Sequence, residues 1–149
     1  AYSASEGYID FKVADNSLCD QTPKYMSRLT KTLMRRLDFS EIAKQRTENF
    51  NQLHEVLGKY NELEIPTSLN GPMCYPFYSR IPELRKHLIA NKIYVPTYWP
   101  DAEFTLTSGT LGKDFVEHLH AIPCDQRLGN IDISVLTGRI INYFHITTI

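Results

Sequence analysis

Residues 111–144, LGKDFVEHLHAIPCDQRLGNIDISVLTGRIINYF, decide the fold class, because the hydrophobic period changes twice within them. Leu111, Phe115, Val116 and Leu119 recur at helical spacing and predict a short helix. Residues 120–124 then read as a strand. Asn130 reads as the cap of a last helix whose buried side carries Ile133, Leu136, Ile140, Ile141 and Phe144. Working backwards, Ile93, Tyr94 and Val95 predict a strand, and Pro82 opens a helix over 83–90 with Leu84, Leu88 and Ile89 inward and Asn91 as its stop. Residues 73–79, MCYPFYS, suit a strand that Pro76 confines to an edge or bulge, after the turn signal Asn70-Gly71-Pro72. Residues 63–70 read as a strand edge and loop. Alternation of helices and short strands predicts a two-layer α/β sandwich over 61–149.

Long helices are expected before it. Asp38 with Glu41 three residues on is a capping-box start, and Ile42, Phe50, Leu53 and Leu57 give the helix over 38–60 its apolar stripe. Thr22-Pro23 predicts a second helix start, followed by Met26, Leu29 and Leu33, with a break near Leu37. Residues 2–13 alternate loosely through Tyr8, Ile9, Phe11 and Val13 and predict a short strand arm. The division expected is therefore an arm over 1–21, connecting helices over 22–60 and a small C-terminal domain over 61–149.

Composition narrows the function classes. The 149 residues hold 16 Lys and Arg against 17 Asp and Glu, a formal charge of −1, so the balance carries no footprint for nucleic acid or an anionic membrane. Three widely spaced cysteines, Cys19, Cys74 and Cys124, read as reduced and mostly buried thiols of a cytoplasmic protein. No apolar run of about eighteen residues occurs, and neither do the Gly-rich phosphate, nucleophile-elbow or His-Glu zinc motifs. His118 and His120, two apart, read as a surface pair rather than a metal site, and Arg35-Arg36 and Glu48-Asn49-Phe50-Asn51 as solvated helix faces.

Two positions stand out. Cys124-Asp125-Gln126-Arg127 follows a strand and precedes a capped helix, where polar groups often face a ligand; Arg127 could hold a carboxylate in its fork, or pair structurally with Asp125. Trp99, among Pro96, Tyr98 and Pro100, could wall a pocket or plug the core edge.

Arg46-Thr47-Glu48-Asn49-Phe50-Asn51-Gln52-Leu53, the aromatic strand 73–79, the helix PELRKHLIANKI over 82–93 and Ala121-Ile122-Pro123-Cys124-Asp125-Gln126-Arg127 follow one another in an order that resembles the C-terminal half of the DegT/DnrJ/EryC1/StrS group of aminotransferase-like proteins. The resemblance covers about residues 38–144. It implies a fold type I small domain that closes over pyridoxal phosphate and substrate, with Arg127 and Trp99 as substrate contacts. Ser5-Glu6-Gly7-Tyr8-Ile9 resembles the turn that follows the family's cofactor lysine, so Glu6 and Gly7 are expected near the cofactor and the lysine just before Ala1. None of the lysines present stands in that context. The expectation is a fragment, inactive alone and without cofactor of its own, whose partners are the upstream large domain, a second subunit of a parent homodimer, and small-molecule amino donors and acceptors. The alternative kept open is a non-enzymatic α/β module for protein interaction or dimerisation.

Overall fold

A computed structural model describes residues 4–66, 68–100 and 102–147, and its core is organised around two short strands. Strand β1 (Cys74–Tyr78) pairs antiparallel with β2 (Leu119–Pro123), in a register that sets Cys74 opposite Pro123 and Phe77 opposite His120. Side chains alternate across a strand, so Tyr75 and Phe77 share one face with His120 and Ile122. Helices α3 (Phe39–Leu57) and α7 (Asn130–Thr147) meet that face. The Phe50 ring stands edge-on to Tyr75 at 5.1 Å and Phe144 edge-on to Phe77 at 5.8 Å, both geometries that aromatic quadrupoles favour. Leu53, Leu57, Ile133 and Ile140 fill the remainder, and α4 (Leu84–Ala90) adds Leu84 and Leu88 against α7. On the opposite sheet face, Phe115 of α6 (Leu111–His118) meets the Tyr78 ring at 5.4 Å. The architecture is mixed α/β with a small antiparallel sheet.

Helix α3 starts where its sequence says. Asp38 Oδ1 accepts from the backbone N–H of Ser40 and Glu41, each at 3.0 Å, satisfying two of the amides that a helix start leaves without partners. Replacing Asp38 by Ala is expected to cost about 1 kcal/mol in a urea unfolding measurement, with no change in the folded circular-dichroism spectrum. The helix ends at Leu57, followed by a 3-10 turn over Gly58–Tyr60. Gly71, at φ +62°, turns the chain towards β1; a Cβ there would stand 3.0 Å from that of Ala43, so conformation and space both require glycine.

By internal packing the chain divides into residues up to Leu37 and residues from Asp38 onward. The expected connecting segment 22–60 is thus parted, and α3 belongs with the residues that follow it. In the first unit the expected strand arm is instead helix α1 (Ala4–Asn16). Tyr8 and Phe11 lie three apart and stack at 6.2 Å, while Ile9 and Val13 lie four apart: spacing that loosely suits a strand also suits one helix face. Tyr2 lies outside the described residues. The helix expected from Thr22-Pro23 begins later, as α2 (Arg28–Met34), because Ser27 supplies the cap, its hydroxyl accepting from Thr30 N–H at 3.0 Å. Tyr8, Ile9, Phe11, Leu29 and Leu33 are all exposed.

Other departures are local. Ile93 and Val95 are buried and Tyr94 exposed, as in a strand, yet they pair with no ladder, and 63–66 and 68–70 form none either. Ile89 points outward from α4. A short helix α5 (Ala102–Thr105) lies within the stretch after the Trp99 loop. Among the described residues, no helix is long and apolar enough to cross a membrane.

Candidate functional site

The link between β2 and α7 leaves its carbonyls without ladder partners, and one face of α3 supplies them. Asn49 is fully buried, and its Nδ2 donates towards the carbonyls of Cys124 (3.4 Å), Asp125 (2.9 Å) and Leu128 (3.1 Å), while its Oδ1 accepts from Gln45 Nε2 at 3.0 Å. One turn to either side, Arg46 Nε donates to Gln126 Oε1 at 2.9 Å and Gln52 Nε2 to Asn130 Oδ1 at 3.0 Å. Positions 46, 49 and 52 advance by about 300° per step around a helix, so they form one slanting row. That row reads the turn from 124 to 130 almost residue by residue. Asn49, expected on a solvated face, is the correction here, whereas Phe50 is buried as the apolar stripe of the helix requires. The polar character of Glu48-Asn49 hid a burial that only the partner turn, more than seventy residues on, explains.

Within this held turn Arg127 and Asp125 face each other. The backbone N–H of Arg127 and its Nε both donate to Asp125 Oδ1, at 3.1 and 2.7 Å, and Nη2 donates to Oδ2 at 3.1 Å. Those hydrogen bonds hold the Asp125 carboxyl below its ordinary range, against a smaller opposing effect of burial, and raise Arg127 in return. The Arg127 side chain is nevertheless 83% exposed. The geometry is a guanidinium aimed by an intraloop carboxylate, with donor capacity left over for a ligand and its charge already balanced.

Trp99 is 74% exposed and sits at φ +50°, a left-handed conformation uncommon for a bulky residue. Its ring meets that of Tyr98 at 5.8 Å, and Tyr98 in turn interacts with the Cys74 thiol. Tyr98, Trp99, Leu106, Phe115, Val116 and Leu119 line a mainly apolar hollow of about 270 Å³, large enough for one ring or a short aliphatic group. Leu106 packs closely on Gly112 at its edge, where a Cβ would lie 2.8 Å from Leu106 Cδ1. Among the described residues no hydrogen bond, ion pair or ring contact joins Trp99 to Arg127. Cys74, which interacts with Tyr98, stands opposite Pro123 where β2 leads into the turn.

The remaining expectations fall elsewhere. Gly7 lies inside α1 with open space around its Cβ position, and the Glu6 side chain lies outside the described residues. His118 and His120 are not a surface pair: His118 ends α6 with Nε2 3.7 Å from Asp114 Oδ1, whereas His120 is buried on β2. No group of three or more His, Cys, Asp and Glu among the described residues could hold a metal ion. Cys19 is exposed, contrary to expectation, while burial pushes the Cys74 thiol up and that of Cys124 to about 12, so neither offers a thiolate near neutral pH. A second polar network ties α6 to the sheet: the Tyr78 hydroxyl donates to Asp114, and Arg80 bridges Asp114 (2.9 Å) and Glu62 (2.8 Å). Burial foremost, then the bond to Asp114, push Tyr78 up to about 12. No protein-family model matches the chain, and a search of curated proteins returns no significant match.

Proposed function

We propose that the chain is the C-terminal part of a pyridoxal-phosphate-dependent, aminotransferase-like protein of the DegT/DnrJ/EryC1/StrS type, its residues 61–149 a two-layer α/β small domain that closes over cofactor and substrate. The supporting observation is the docking of the Arg46-to-Leu53 segment on the Cys124-to-Leu128 turn. These two stretches carry the resemblance, lie far apart in sequence, and meet through Asn49 and Arg46. Arg127 is the carboxylate contact in this reading and Trp99 a wall of the neighbouring pocket. No lysine of the chain stands in the family's cofactor context, and Gly7 lies within helix α1. The cofactor chemistry belongs to an upstream large domain, and the chain alone is inactive. The exposed Tyr8, Ile9, Phe11, Leu29 and Leu33 fit a surface that such a domain, or the second subunit of a cytoplasmic homodimer, would cover.

The test is to join the chain to the segment encoded before Ala1. A lysine there and an aldimine absorbance band on adding pyridoxal phosphate are the expected results; a band in the 149-residue chain alone overturns the reading. In the joined protein, Arg127→Ala is expected to raise KM for a carboxylate-bearing substrate about tenfold with the fold intact, and an unchanged KM removes Arg127 from the site. The same exposed apolar residues favour one second reading, a non-enzymatic interaction module. Stable self-association of the isolated chain in sedimentation, with no aldimine in the joined protein, selects it.

A further inference from the structure

His120 has no part in the turn or in the hollow, and its surroundings set it apart from the other histidines. It is 3% exposed, on the core-facing side of β2, and its Nδ1 is buried without a hydrogen-bond partner. Opposite it on β1 stands Phe77, which offers the ring no polar atom. From α4, Arg85 reaches the same strand, its Nη2 donating to the Leu119 carbonyl at 3.3 Å, and its other terminal nitrogen binds Thr97 Oγ1. From the end of α6 comes His118. Arg85 and His118 are the groups whose charge bears on the His120 ring, and both oppose a second positive charge. A neutral imidazole tolerates this place; an imidazolium would need a second acceptor where an unpaired buried nitrogen now sits.

We propose that His120 is an acid-operated release built into the sheet: while neutral it lets β2 pair with β1 with its core face buried, and its protonation on mild acidification favours opening of residues 38–149. Burial is the main reason the folded ring resists protonation, holding it down to about 4, with Arg85 and His118 adding to the effect. An unfolded histidine takes up its proton near 6.5. The folded state therefore binds fewer protons, so the ring's contribution is fully present above about pH 6.5 and is lost as pH falls from there towards about 4. The ring alone lowers the folded-to-unfolded ratio about 30-fold between about pH 8 and about pH 5.

Two measurements on the 149-residue chain decide the matter. Urea unfolding across this pH range is expected to show the loss in wild type and in His118→Gln, and to show most of it gone in His120→Gln. Equal pH dependence in His120→Gln and wild type overturns the proposal. If His120→Gln does not fold, the His120 ring proton resonances of the wild type are followed instead. A ring still neutral at about pH 5 supports the proposal, and one that titrates at its ordinary position overturns it.

Discussion

Replacing Asn49 by Ala is expected to destabilise residues 38–149 by about 2–4 kcal/mol, as much as a large cut in the hydrophobic core. The side chain is small and polar, so lost apolar burial contributes little. What the substitution removes is, among the described residues, the side-chain donor shared by the Cys124, Asp125 and Leu128 carbonyls, together with the acceptor of Gln45. Water cannot easily take its place at a fully buried position, and each polar group left unpaired there costs roughly 1–3 kcal/mol. Asn49→Asp is the sharper variant: nearly isosteric, it sets a carboxylate against a row of carbonyl oxygens and is expected to be worse than Ala at neutral pH. Urea unfolding of the three proteins measures the order, and a loss below about 1 kcal/mol for Ala would show the turn to be held by its own contacts. In the joined protein, Arg127 should lose its fixed aim along with the turn.

Replacing Phe77 by Ala is expected to cost about 3–5 kcal/mol. The ring is fully buried at the centre of the sheet face, edge-on to Phe144 and opposite His120 across the ladder. Truncation leaves a hole that two strands and a helix cannot close. The hole also abuts the His120 ring, so water admitted there would make protonation easier. The folded His120 ring is expected to titrate at a higher pH in this variant than in wild type, and ring resonances check that separately from the unfolding midpoint. Phe77→Leu, which keeps most of the volume, should cost under about half as much.

Much of the body was legible in the sequence because its signals are local. Asp38 caps α3, the spacing of Leu111, Phe115 and Val116 marks α6, and the apolar row Ile133, Leu136, Ile140 and Phe144 is the buried face of α7. The strands 73–79 and 120–124 lie within one residue of β1 and β2. What failed was decided by distant partners. Ile93 and Val95 have strand-like burial without a neighbouring edge, and no residue of that segment announces the lack. Tyr8 to Val13 is too short a run to separate a period of two from one of three to four. Of the candidate site, the Asp125–Arg127 pair was foreseeable from two residues of spacing, as one of two options. The burial of Asn49 was not, because a polar residue in a charged stretch of helix signals solvent until the turn it serves is known. His120 was misplaced for the converse reason: a histidine two residues from another looks like surface, and only the register opposite Phe77 turns it inward.

The bonds of Asn49 span 75 to 79 residues, and this has a bearing on the order in which the chain can fold. Helix α3 can form early from its own cap and stripe, but its amide row has no carbonyls to serve until β1, α4, α6 and β2 have been drawn together. The closure of so long a loop must come before the contacts that reward it. Docking of the turn on α3 should therefore be a late event, so Asn49 variants are expected to speed unfolding more than they slow folding.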